Sequence, residues 1–305
     1  MNVLNQKIGD RFAIYNGDCV EVLKGIPDNS IHYSITSIPF ASLYTYSNSE
    51  RDMGNCRSYG EFEAQYQFLG REWYRVMMPG RLVSIHCMNL PAMKERDGYI
   101  GMKDFRGDVI RWMQAAGFIY HAEVCIWKDP VVEMQRTKAL GLLHKQIKKD
   151  SAMSRMGIPD YLVTFRKPGK NPERIEHTGE TYPVGHWQNV ASPVWNEYAS
   201  PVWWDINQSD TLNRNGARED RDEKHICPLQ LPVIERGVEL WSNPDDIVLD
   251  PFDGIGSTGY QAVKMGRRHI GIELKSSYFK LAIENLNTAE DEYNAEKRQM
   301  QTRMF

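Results

Sequence analysis

Ile247-Val248-Leu249-Asp250-Pro251-Phe252-Asp253-Gly254-Ile255-Gly256-Ser257-Thr258-Gly259 passes from an apolar run into a glycine-rich turn. A helix-like stretch follows, with Tyr260, Ala262, Val263 and Met265 as its larger residues. The order is buried strand, tight loop, helix. Glycine lets a backbone approach a ligand closely, and a helix N-terminus presents free N–H groups. The lysine–hydroxyl ending of a phosphate-binding P-loop is absent. A second short strand, Arg267-Arg268-His269-Ile270-Gly271-Ile272-Glu273, ends in an acid 17 residues past Gly256. A carboxylate at that place suits the two hydroxyls of a ribose.

The same alternation runs through the rest of the chain. Phe12-Ala13-Ile14-Tyr15 reads as a strand, Asn16-Gly17-Asp18 as its end, and Val20, Val22 and Leu23 as a helix. Pro27-Asp28-Asn29-Ser30 is turn chemistry. Ile31 to Thr36 alternates and is β-rich, and it runs straight into Ser37-Ile38-Pro39-Phe40. A polar loop covers 41–58. Phe62, Tyr66, Leu69, Trp73 and Val76 have helical spacing, and Leu82 to Cys87 reads as a buried strand. Asp104 to Ala116 reads as a helix stopped by Gly117, and Ile119 to Trp127 as a strand. Strands alternating with helices imply a parallel sheet covered on both faces. The last 30 residues begin as a helix and end in a charged tail from Glu290, expected to be frayed or a partner surface.

Composition excludes several classes. The chain has 305 residues, 41% of them hydrophobic, enough for a proper core. The net charge of −3 advertises no overall affinity for nucleic acid, so any such surface is a local patch. Five scattered cysteines without a CxxC pair read as free thiols of a reducing compartment. No HxH or HExxH spacing calls for a metal. With no apolar leader and no apolar run of membrane length, the expected location is cytoplasmic.

Residues 128–170 break the pattern, with ten basic side chains against four acidic ones. Lys138, Lys145 and Lys149, at spacings of seven and four, fall on one stripe if that stretch is helical, which suits a phosphate backbone. The neighbouring Trp-rich segment around Trp195 and Trp203 is the alternative docking place for a duplex.

Asp250-Pro251-Phe252-x-Gly254-x-Gly256-Ser257-Thr258-Gly259 resembles the S-adenosylmethionine loop of the amino-methylating DNA methyltransferases. Ser37-Ile38-Pro39-Phe40, at a strand end, resembles their catalytic Ser/Asp/Asn-Pro-Pro-Tyr/Phe motif. The chemistry accounts for those residue types. An exocyclic amine is a poor nucleophile because its lone pair is delocalised into the ring. Two acceptors that hold its N–H bonds favour a pyramidal nitrogen aimed at the sulfonium methyl, so catalysis is positioning plus electrostatics. The resemblance makes Ser37 Oγ and the carbonyl of Ile38 those acceptors, and Phe40 the platform for an extruded base. It assigns Asp18 to the adenine amine of the cofactor and Glu273 to the ribose. It gives the methionine end to the loop and to the segment His225 to Leu229, with His225 and Pro228. Ile38 departs from the family, where proline fixes φ.

The order of catalytic motif, variable region and cofactor loop matches the permuted beta group of these enzymes, of phage or restriction–modification type. The expected fold is a doubly wound, Rossmann-like α/β methyltransferase sheet with an inserted recognition region. Residues 1–127 would form the catalytic half, 128–224 the recognition region, 225–288 the cofactor half and 289–305 the tail. The implied cofactor is S-adenosyl-L-methionine and the implied substrate is duplex DNA with a flipped base, cytosine N4 favoured slightly over adenine N6. The resemblance also admits a homodimer and a cognate restriction enzyme as partners. Two other readings compete: an impaired DNA-binding homologue, suggested by Ile38, and an amide or amine methyltransferase acting on protein or RNA.

Overall fold

This computed structural model describes residues 3–40, 53, 56, 58–92, 94–99, 101–130, 157–176, 197–213 and 228–303. Its centre is five parallel strands. They are β2 (Phe12–Asn16), β11 (Arg268–Glu273), β10 (Ile247–Asp250), β3 (Ile31–Ser37) and β4 (Met77–Met88), adjacent in that order. Strand β1 (Asn5–Ile8) pairs antiparallel outside β2. Beyond β4 the sheet reverses: β8 (Asp160–Arg166) runs antiparallel between β4 and β7 (Ile119–Ile126), and β9 (Val202–Trp203) closes the edge. A small hairpin, β5 (Leu90–Ala92) with β6 (Gly101–Lys103), stands apart.

Helices cover both faces, as the alternating pattern requires. On one side lie α1 (Cys19–Leu23), α2 (Tyr59–Val76) and α4 (Phe105–Ala115); the short α3 (Lys94–Asp97) falls between β5 and β6 in the chain. On the other lie α5 (Leu231–Trp241), α6 (Ser257–Lys264) and α7 (Ser276–Arg303). The helix starts are set locally. Asp18, Ser58 and Asp104 each accept the backbone N–H three residues on, at 3.0, 3.2 and 3.0 Å. Such side-chain caps satisfy donors that a helix start leaves orphaned.

Three expectations change. Asp160–Arg166 and Val202–Trp203 fall inside the stretch 128–224, yet both are strands of the main sheet. Trp203 is fully buried beneath the Arg236 guanidinium, so it cannot receive a duplex; its neighbour Trp204 is exposed, against Trp127. Trp195 lies outside the described residues. The tail is helical to Arg303. Glu290 accepts the Arg11 N–H, Tyr293 lies under the Arg11 guanidinium at 4.5 Å, and Glu292 meets Lys264 at 3.1 Å. These contacts carry the helix past the point where its apolar stripe ends.

At the N-terminal edge of the sheet, buried Arg81 pairs with Asp246 and donates to the carbonyls of His32 and Glu173. His32 Nδ1 accepts the Ile247 N–H at 3.1 Å, so its neutral ring carries the proton on Nε2, toward Glu173 and Asp246. His32 Nε2 thus lies 3.2 Å from Glu173 and 3.7 Å from Asp246, a polar cluster at this edge. Asp246→Ala leaves the Arg81 charge buried without a partner and should cost about 3–5 kcal/mol. Urea unfolding measures this, and Arg81→Met combined with Asp246→Leu should return most of it.

Candidate active site

The strands β10, β11 and β2 on one side and β3 and β4 on the other connect in opposite directions, and the crevice between β10 and β3 is the switch point. Ligands of open α/β sheets bind there, outside the carboxyl ends of the strands. Asp250, Glu273, Asn16, Ser37 and Met88 all end their strands on that edge.

The glycine loop is shaped by its own side chains. Gly254 and Gly256 have φ of 57° and 85°, values that side chains other than glycine rarely adopt. A Cβ on Gly256 would lie 3.2 Å from Ala282 of α7, so the loop also needs the space. Asp250 is buried, and its Oδ1 accepts from Thr36 Oγ1 at 2.5 Å and from the Phe252 N–H at 2.9 Å. Its carboxylate therefore serves the frame of the loop. Beneath the loop, His269 and Asp253 are fully buried together at 3.1 Å.

Glu273 reaches back to the loop. Its Oε2 accepts the Gly254 N–H at 2.9 Å and its Oε1 the Lys275 N–H at 2.7 Å. A carboxylate oxygen accepts more than one hydrogen bond, so one carboxylate can hold the loop and meet a ligand hydroxyl. Ser257 and Thr258 sit in the first turn of α6. Thr258 Oγ1 donates to the Ile35 carbonyl at 3.3 Å, while Ser257 Oγ is buried with no hydrogen-bond partner among the described residues. An orphaned hydroxyl at a helix start, below a loop with glycine conformations, fits a polar ligand lying over that turn. Asp18 caps α1 through Oδ1. Pro251 is buried and Phe252 half-buried in the loop, and Pro228 is half-buried ahead of α5. His225 lies outside the described residues.

Across the crevice, Ser37 ends β3 half-buried, with Oγ 2.9 Å from His86 Nδ1. The Ile38 side chain is 1% exposed and belongs to the core formed with α2 and α4. Pro39 and Phe40 follow, half-buried, and the Phe40 ring meets Phe105 edge-on at 6.1 Å and His86 at 6.4 Å. The structure therefore brings Ser37 to Phe40, Asp250 to Thr258 and Glu273 to one edge. Lys138, Lys145 and Lys149 lie outside the described residues. His86, Asp160 and Lys128, which line up behind Ser37, escape sequence reasoning: none sits in a motif, and His86 and Asp160 are 74 positions apart.

A doubly wound sheet with a reversed final hairpin, a glycine loop closed by an acid on the next strand, and a Ser-x-Pro-Phe strand end define an S-adenosylmethionine-dependent methyltransferase. Residues 31–284 match the N6/N4 family model described as DNA methylase, and the chain belongs to that family. The type II methyltransferase M.HindIII of Haemophilus influenzae is 22% identical over 326 residues, covering 94% of this chain and 99% of its own. The DNA adenine methyltransferase YhdJ of Escherichia coli is 44% identical over 78 residues, a quarter of either chain (25% and 26%). Among solved structures, the cytosine-N4-specific PvuII DNA methyltransferase superposes with a TM-score of 0.64 at 17% identity, over 96% of this chain and 95% of that one. Thermus thermophilus TTHA0409, solved with S-adenosyl-L-methionine, also gives 0.64, at 22% identity over 92% and 95%. The chain is a DNA amino-methyltransferase that uses S-adenosylmethionine. Among the described residues no helix is long and apolar enough to cross a membrane.

Burial, and then the neighbouring Asp253, raise the Asp250 pKa above the usual carboxylate range, although Thr36, Thr258 and the Phe252 N–H pull the other way. A carboxyl raised on folding stabilises the fold while protonated, and that contribution is lost as pH rises through its folded pKa. Asp250→Asn keeps an oxygen for Thr36 and Phe252 without the charge. In cofactor-free protein its thermal midpoint should gain on wild type as pH rises from 5 to 8; an equal difference at both pH values contradicts the assignment.

Proposed function

We propose that the chain methylates the N4 amine of cytosine in DNA. The observation that carries this reading is the Ser37 hydroxyl at the end of β3, on the same edge as the loop framed by Asp250 and Glu273. In the family, a serine at the head of the strand-end motif leans towards cytosine. The stretch shared with the E. coli DNA adenine methyltransferase favours adenine N6 as the second reading.

In this reading bound S-adenosylmethionine supplies an electrophilic methyl group. Glu273 accepts from its ribose hydroxyls and Asp18, through Oδ2, from its adenine amine. Gly254, Gly256, Ser257 and Thr258, with His225 and Pro228, hold its methionine end, and Pro251 and Phe252 shape the loop. Ser37 Oγ and the Ile38 carbonyl accept the two N–H bonds of the target amine, and Phe40 stacks on the flipped base. Packing of the Ile38 side chain into the core takes the place of the ring that fixes φ in the family motif, which argues for an active enzyme. Lys138, Lys145 and Lys149 contact phosphates, and the parts of 128–224 outside the sheet read the target sequence. A homodimer, a cognate restriction enzyme and a cytoplasmic location complete the proposal.

Nucleoside mass spectrometry of DNA from expressing cells should find 4-methylcytosine; 6-methyladenine alone would establish the second reading. Ser37→Ala should leave cofactor affinity intact and slow single-turnover methylation about a hundredfold, the usual loss when one positioned hydrogen-bonding group is removed. Glu273→Ala should weaken S-adenosylmethionine binding roughly ten- to a hundredfold by calorimetry, because hydrogen bonds to a charged acceptor are lost.

A further inference from the structure

Four polar side chains form a line from the end of β3 across β4 to β8. Ser37 Oγ lies 2.9 Å from His86 Nδ1, and His86 Nε2 lies 3.0 Å from Asp160 Oδ2. Lys128 Nζ meets the other carboxylate oxygen, Oδ1, at 2.6 Å. The sheet dictates this line. Ser37 and His86 are paired neighbours on β3 and β4, so their side chains share a face. Strand β8 runs the other way and begins at Asp160, level with Met88 at the end of β4. Lys128 follows β7 at the same edge.

The side chains of His86, Asp160 and Lys128 are 8%, 3% and 7% exposed, so the line is dry behind Ser37. Burial alone would raise the Asp160 pKa; the Lys128 charge, and after it His86, outweigh burial and hold it at about 2. An ionised carboxylate only accepts. A neutral His86 therefore keeps its proton on Nε2, toward Asp160, and offers Nδ1 as a bare acceptor to the Ser37 O–H. The remaining lone pair of Ser37 Oγ is left for another donor.

Resting on the reading that the target amine docks at Ser37, we propose that His86 takes up, through Ser37, the proton that the amine must lose. His86, Asp160 and Lys128 are positioning residues, because none of them touches the reacting nitrogen. The amine nitrogen gains the methyl group with its lone pair, and the electrons of the broken C–S bond stay on sulfur. The nitrogen then carries one proton in excess. One N–H proton passes to Ser37 Oγ as the hydroxyl proton of Ser37 passes to His86 Nδ1. A neutral secondary amine remains, with an imidazolium facing the Asp160 carboxylate, and the imidazolium later releases its proton to water.

Other charges near His86 are few among the described residues. On the same face, Arg236 of α5 stacks on Trp203 and pairs with Asp205. The Arg106–Glu123 pair lies against Tyr161, on the opposite face, and Asp250 is held by Thr36 at the end of β10.

The experiment has two arms. Nitrogen NMR of histidine-labelled, DNA-free protein at neutral pH should find His86 with Nε2 protonated and Nδ1 bare. Asp160→Asn should move the proton to Nδ1, because the amide N–H₂ then faces Nε2. In the second arm, cofactor-loaded enzyme acts in single turnover on unmethylated bacterial genomic DNA across pH. The wild-type rate should fall at low pH. His86→Gln should lower the rate roughly a hundredfold, the lower end of general acid–base contributions, and flatten that limb, with S-adenosylmethionine affinity unchanged. A wild-type His86 protonated on Nδ1 overturns the proposal, and so does a His86→Gln enzyme that keeps both rate and limb while Ser37→Ala is slow. If Ser37→Ala itself methylates at the wild-type rate, the docking of the amine at Ser37 is wrong, and the proton route falls with it.

Discussion

A buried hydrogen bond from Thr36 Oγ1 to Asp250 Oδ1 sets the height of the glycine loop after β10 against the end of β3. The backbone pairing of β3 with β10 is short, with Val248 opposite Tyr33 and Leu249 opposite Ser34. Side chains supply the rest of the register. Ser34 Oγ donates to the Leu249 carbonyl at 2.7 Å and accepts from Trp73 Nε1 of α2 at 3.0 Å, while Thr258 ties the first turn of α6 to Ile35. The two halves of the site come from opposite ends of the chain, and these bonds lock them. Each bond is buried, so sliding one strand would orphan polar groups in the core, at a cost well above the net value of the bonds themselves.

The lock has an electrostatic cost. Asp250, Asp253 and His269 share the floor of the loop, with His269 Nδ1 and Asp253 Oδ2 lacking partners among the described residues. Gly259 and Gly271 leave room for this polar floor, since a Cβ on either would press into His269 or Asp253. The loop above is thereby held in conformations that only glycine adopts easily, with the Gly254 N–H turned to Glu273, the Gly256 N–H to the Asp253 carbonyl and the Asp253 N–H to the Ile272 carbonyl.

Much of this was legible in sequence because it is local. The strand before Asp250, the acid at Glu273 and the alternation from Ile31 into Ser37 are patterns of a few residues, and the structure sets them where the pattern puts them. Strand β8 was hidden because Asp160 to Arg166 sits in a basic stretch, where charge dominates the reading. The tail past Glu290 read as frayed because nothing in sequence reveals that Arg11 waits for it. The line behind Ser37 was invisible for a related reason: it depends on which strand neighbours which, and on one of them running backwards.

That reversal has a geometric corollary. Parallel strands bring only their last residues to the active edge, whereas a reversed strand brings its first. The chain therefore departs from the sheet at Lys128 and returns at Asp160 on the side where Ser37 sits, and the ion pair between these two residues closes the neck of everything in 129–159. The Asp160 carboxylate meets Lys128 through one oxygen and His86 through the other, so the point where the chain leaves and rejoins the sheet is also the point that fixes the His86 ring.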